Sequence, residues 1–119
     1  MLIAYWIVAG LLAVFYLYSG GMKILRSKES LRPMMAWVDD MPLAAVRGIG
    51  AVEVLGAVGL IVPPLTGIAP WLALAAAVGL VVVQVGAGIL HLSRREPAWM
   101  NLALVVVAGV LVWLATIWL

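Results

Sequence analysis

A single carboxylate, Glu53, stands in the middle of a largely apolar run of 20 residues, Leu43–Val62, whose one other charged residue is Arg47. A charged side chain near the centre of a bilayer is costly, and such residues usually face a bundle interior or a cavity. In hydrocarbon this carboxyl group is expected to be the neutral acid, able both to donate and to accept hydrogen bonds. An amide such as Gln84 suits it as a partner, with Tyr16 as a second polar neighbour. Glu53 therefore reads either as a ligand- or proton-handling group or as a hydrogen-bonded link between helices. Counting from the basic end of each run, Glu53 lies about 15 Å deep, Gln84 about 12 Å and Tyr16 about 9 Å. Arg47 follows at about 6 Å, Ser19 and Asn101 at about 5 Å, and His91 at about 2 Å. Tyr16, Ser19 and Lys23 recur at helical spacing, as do Gln84, Gly88 and His91. Together they outline a polar pocket that opens toward the basic side and ends at Glu53. The competing reading is a collar of side chains reaching for the headgroups. That fits Lys23, Arg47 and His91 well, but Gln84 and Glu53 poorly.

Other chemistries are excluded by residue type. With one histidine and no cysteine, no metal or haem site is expected, nor thiolate, disulfide or iron–sulfur chemistry. No phosphate loop, dinucleotide fingerprint or serine triad occurs. The six methionines are scattered and read as packing. The composition is 67% hydrophobic and 10% charged, against roughly 45–50% and about 25% in soluble domains. A water-soluble enzyme is thereby excluded. The 119 residues suffice for about four membrane-spanning helices in one domain. The net charge of +2 marks a membrane face rather than a nucleic-acid site.

Four runs have the required length: Leu2–Met22, Leu43–Val62, Trp71–Leu92 and 98–118. Prolines punctuate them without falling inside, so an up-down bundle of four unbroken helices is expected. The first run lacks preceding positive charges and a clear cleavage site, and reads as an uncleaved span. All seven basic residues fall in or beside the first and third connections. The positive-inside rule makes that side cytoplasmic and both termini extracytoplasmic. Trp6, Trp71 and Trp118 then belong to the outer interface, and Trp37 and Trp99 to the inner one. The segment Lys23–Pro42 mixes charged and apolar residues, and Pro33 interrupts it. It reads as short interfacial helices, either a lid over the bundle or a solvated amphipathic connection.

Small residues mark the expected helix contacts. Gly50 and Ala57 share a stripe with Glu53, while Ala44, Gly48 and Ala51 form one on the opposite face. Ala75 and Gly79 add a third set on the next helix. Small residues one turn apart let helices approach closely. Two opposed stripes predict that the second helix touches more than one neighbour, within the chain or in a homo-oligomer.

The order of these pieces resembles the DoxX-like family of small bacterial four-span membrane proteins. The resemblance rests on Tyr18-Ser-Gly-Gly-Met-Lys23 and on Gly50-x-x-Glu53-x-Leu-Gly56-x-x-Gly59 followed by Pro63. It continues through the Ala/Gly-rich third run ending in His91, a short basic turn, and Asn101-Leu102. Lys23, Glu53, His91 and Asn101 match the family pattern. The resemblance implies a four-helix membrane bundle and an association with membrane redox systems, a thiosulfate:quinone oxidoreductase subunit among them. It also implies roles in the assembly of membrane complexes, including, for an animal relative, ion channels. The expected function is a non-enzymatic accessory or binding component for a quinone- or lipid-like molecule. No cofactor is required by the sequence; the expected partners are the lipid bilayer, membrane proteins or a second copy, not nucleic acid. The rival readings are a membrane enzyme with Glu53 as acid or base, and a proton-coupled transporter. The one-sided basic residues argue against a dual-topology transporter.

Overall fold

The computed structural model describes Met1–Leu119. Four long helices dominate: α1 (Leu2–Leu25), α3 (Leu43–Thr66), α4 (Leu72–Ser93) and α5 (Trp99–Ala115). A one-turn helix, α2 (Lys28–Leu31), and a 3-10 turn over Ala36–Asp40 lie in the first connection. A second 3-10 turn, Thr116–Trp118, extends α5, and there is no strand. All four long helices are apolar enough and long enough to cross a bilayer. Ile3, Leu11, Leu55, Val82 and Leu102 are among the large side chains left exposed on their outer faces, as a surface bathed in lipid requires. The chain is a multi-pass, all-α membrane bundle.

The spans run longer than the apolar runs at two ends. First, α1 continues past Met22 to Leu25, because Lys23 is buried inside the bundle instead of ending the helix. Second, α3 continues past Val62 to Thr66, with Pro63 and Pro64 inside its last turn. The sequence expectation that no proline lies within a span is corrected here. Each proline lacks an N–H, so the carbonyls of Gly59 and Leu60 lose their ordinary helical donors. The Tyr5 hydroxyl donates to Leu60 O at 2.6 Å from α1 and replaces one of them. Gly67 then ends α3 in the left-handed conformation (φ 74°), its N–H bonded to Pro63 O.

Tyr5→Phe removes that donor and leaves the Leu60 carbonyl unpaired in an apolar setting. A loss of about 1–3 kcal/mol is expected. Unfolding in mixed micelles should show it, and an unchanged midpoint would mean that the carbonyl finds another donor.

Packing runs as a ring, α1–α3–α4–α5–α1, with the α1–α5 seam the sparsest. The tightest contact is between α1 and α3. A Cβ placed on Gly20 would lie 2.6 Å from Gly50 O, and one on Gly50 would lie 2.7 Å from Gly20 O. The two backbones touch there. On another face of α3, Gly56 receives Leu80 and Gly59 receives Ala76, both from α4. Thus α3 has two neighbours, but the second seam is Gly56/Gly59. Ala44, Gly48 and Ala51 are exposed, and Gly48 has open space around it. Ala75 is exposed as well, while Ala73 and Ala77 are buried on α4. Helical spacing groups residues by face, but the crossing of the helices decides which face meets a neighbour.

Two packed clusters result. The larger one, including Tyr5, Leu12, Leu60, Leu80 and Leu111, fills the half near the termini. There Tyr5, Trp6 and Trp118 meet edge to face. The smaller one joins Leu31, Trp37 and Val38 of the first connection to Met22 and Val46. The connection is folded onto the basic end of the bundle.

Candidate functional site

The Gly20–Gly50 crossing fixes the site. One turn beyond Gly20 on α1 is Lys23, and one turn beyond Gly50 on α3 is Glu53. Backbone contact at the two glycines leaves room for these side chains to meet inside the bundle. Lys23 Nζ pairs with Glu53 Oε1. Ser19 Oγ donates to Glu53 Oε2 at 3.1 Å, and Lys23 Nζ donates to Ser19 Oγ at 3.0 Å. Lys23 is 7% exposed and Glu53 1%. The Trp37 ring, from the first connection, lies 5.6 Å from the ammonium, within the range of a cation–π contact.

Glu53 therefore faces the bundle interior, but it is ion-paired with Lys23 instead of standing as the neutral acid expected in hydrocarbon, and its partners are not those expected from depth alone. Gln84 bonds instead to Asn101, whose Nδ2 donates to Gln84 Oε1 at 3.0 Å. The Tyr16 hydroxyl is fully buried with no hydrogen-bond partner. The reason is helix order: α1 crosses α3 at its closest point, so the nearest polar groups come from α1.

Beside the ion pair lies a cavity of about 990 Å³. Its polar lining comprises Ser19, Lys23, Glu53, Gln84, His91 and Asn101, on a wall that is otherwise mostly apolar. Six of the eight polar residues singled out in the sequence thus share one cavity. Tyr16 stands outside it, and Arg47 reaches only the Lys23 carbonyl, at 3.4 Å. Sequence reasoning missed Trp37 and Trp99, and it took Met34, Met35 and Met41 as packing alone; all five line the cavity. The amphipathic pattern of the first connection was the available signal for Trp37 and the three methionines; Trp99, at the start of α5, had none.

The rim is tied by charges. Arg94 bonds Glu96 at 2.8 Å and pairs with Asp40, so the third connection grips the first. His91 Nδ1 lies 3.2 Å from Glu96 Oε1. The hydrogen bond from Arg94 holds the Glu96 carboxyl below the usual carboxylate range. Arg32 does the same for Asp39 through a two-pronged bond at 2.7 and 2.9 Å.

The DoxX-like family model fits residues 7–115. The chain belongs to the DoxX-like family. No curated protein and no solved structure matches it. The match reaches into all four spans of this DoxX-like chain and includes Lys23, Glu53, His91 and Asn101. No group of histidine, cysteine or carboxylate side chains in it has the arrangement to hold a metal ion.

Proposed function

We propose that this DoxX-like protein is a non-enzymatic binding component of a membrane redox or stress system. It holds a small quinone- or lipid-like molecule in the cavity between its helices. The observation that carries this reading is a large, mostly apolar cavity with a buried ion pair at one side. Ligand pockets typically combine apolar walls with a few placed polar groups, at volumes of about 300–1,000 Å³. A binding role is favoured over acid–base catalysis by Glu53, because both carboxyl oxygens are already engaged by Lys23 and Ser19. Native mass spectrometry of the gently extracted protein tests the reading. A retained apolar molecule on each chain, reduced in Glu53→Gln, is expected. Bare chains alone would contradict it.

The same reading places the basic connections in the cytoplasm of a bacterial plasma membrane and both termini outside, since all seven Lys and Arg lie at one end. A reporter fused to the C-terminus should behave as exported. Cytoplasmic signal from that fusion would reverse the orientation. Membrane-protein partners or a second copy would bind through the lipid-facing helix surfaces.

A further inference from the structure

We propose that the occupant is a neutral lipophile with a carbonyl head, and that it enters sideways from the bilayer between α3 and α4. This specifies the cavity reading above and rests on it. The head follows from the hydrogen bonds already made. Lys23 and Glu53 balance each other's charge, and Ser19 spends its proton on Glu53. Gln84 is 6% exposed and accepts from Asn101, and both side chains line the cavity. A primary amide carries two N–H donors, and Asn101 spends one of its two on Gln84, so an N–H remains at the cavity wall for a carbonyl oxygen to accept. An anionic head would lose its hydration without gaining an unpaired cation in exchange. A neutral carbonyl loses far less.

The route follows from how α3 and α4 diverge. Toward the termini they touch, Gly56 against Leu80 and Gly59 against Ala76. Toward the basic end the facing residues, Val52 and Val83 among them, line the cavity instead. Val52 and Val82 line it and yet are 47% and 65% exposed on the outer surface. The wall at that point is therefore open to lipid. Gly48 and Gly86 stand at its edges, exposed, and a Cβ added to either would meet nothing within 4 Å. At the water-facing end Met35, Trp37 and Met41 fold over part of the cavity, and Trp37 is only 8% exposed, while the exposed Met34 and Trp99 flank them. A molecule with a long apolar tail thus has its opening where the tail already resides.

The test uses the protein in lipid nanodiscs with two probes of one tail length, methyl oleate and oleyl sulfate, read by native mass spectrometry. The wild type should retain the ester one to a chain, with occupancy by the sulfate lower by about tenfold or more. Glu53→Gln leaves Lys23 unbalanced and should invert that preference. Gly48→Phe/Gly86→Phe, built into open space, should slow ester uptake by about tenfold or more without unfolding the protein. Equal retention of both probes by the wild type would overturn the neutral head. Unchanged uptake in the double variant would overturn sideways entry. If the protein keeps a co-purified lipid but takes neither probe, this inference alone fails. Bare protein under every condition would instead remove the binding reading beneath it.

Discussion

Lys23→Met is expected to destabilise the protein by about 3–5 kcal/mol, the usual consequence of breaking a buried ion pair from one side. Methionine preserves most of the volume of the lysine, so the loss comes from electrostatics. Glu53, 1% exposed, would keep only Ser19 as a partner. Removing both charges together should be far milder, because apolar replacement of a complete buried pair is often neutral or stabilising. Lys23→Met/Glu53→Leu should therefore recover most of the stability that Lys23→Met loses. Denaturant titration in mixed micelles gives the comparison. Equal losses in the single and double variants would show that packing, not charge, holds this point of the bundle.

The second large effect is expected at the helix crossing. Gly50→Leu places a Cβ 2.7 Å from the Gly20 carbonyl oxygen and 2.8 Å from Lys23 Cβ. Overpacking typically costs about 1–3 kcal/mol where side chains can yield. Here the first obstacle is backbone, so the cost should reach or exceed the ~3 kcal/mol end of that range. It should also separate Lys23 from Glu53, so that ligand retention falls with stability. Gly48→Ala is the matched control, since nothing lies within 4 Å of its added Cβ. It should gain up to about 1 kcal/mol through helix propensity. A Gly50→Leu variant as stable as Gly48→Ala would mean that α1 and α3 do not cross at these glycines.

Much of this architecture is legible in the residues. Four apolar runs give four helices, and helical spacing with depth gathers Ser19, Lys23, Glu53, Gln84, His91 and Asn101 at one cavity. The partner of Glu53 is a different matter. Periodicity assigns a residue to a face and a depth, but which faces meet depends on how backbones cross. That crossing is set by Gly20, which lies in the chain as one of two adjacent glycines with nothing local to distinguish them. Gly21 has open space around it, whereas Gly20 meets α3. Lys23 shows the same limit. A lysine at the end of an apolar run ordinarily extends to the headgroups, and only the neighbouring helix reveals a carboxylate for it to pair with. Pro63 and Pro64 are likewise readable as a stop until Tyr5, distant in sequence, supplies a hydrogen bond to Leu60 O.

The Lys23–Glu53 pair joins fold and cavity, and its geometry can be measured in lipid. The chain has two lysines, Lys23 and Lys28, and three glutamates, Glu29, Glu53 and Glu96. Lys28 donates to the Met41 carbonyl at 2.7 Å rather than to a carboxylate. Solid-state NMR on protein labelled with 15N at lysine Nζ and 13C at glutamate Cδ should therefore detect one strong dipolar coupling. Its distance should be about 4 Å or less, as an ion-pair contact requires, and Lys23→Met should abolish it. A Glu53 carboxyl with no coupling to any lysine in the bilayer would contradict the pair and the site built around it.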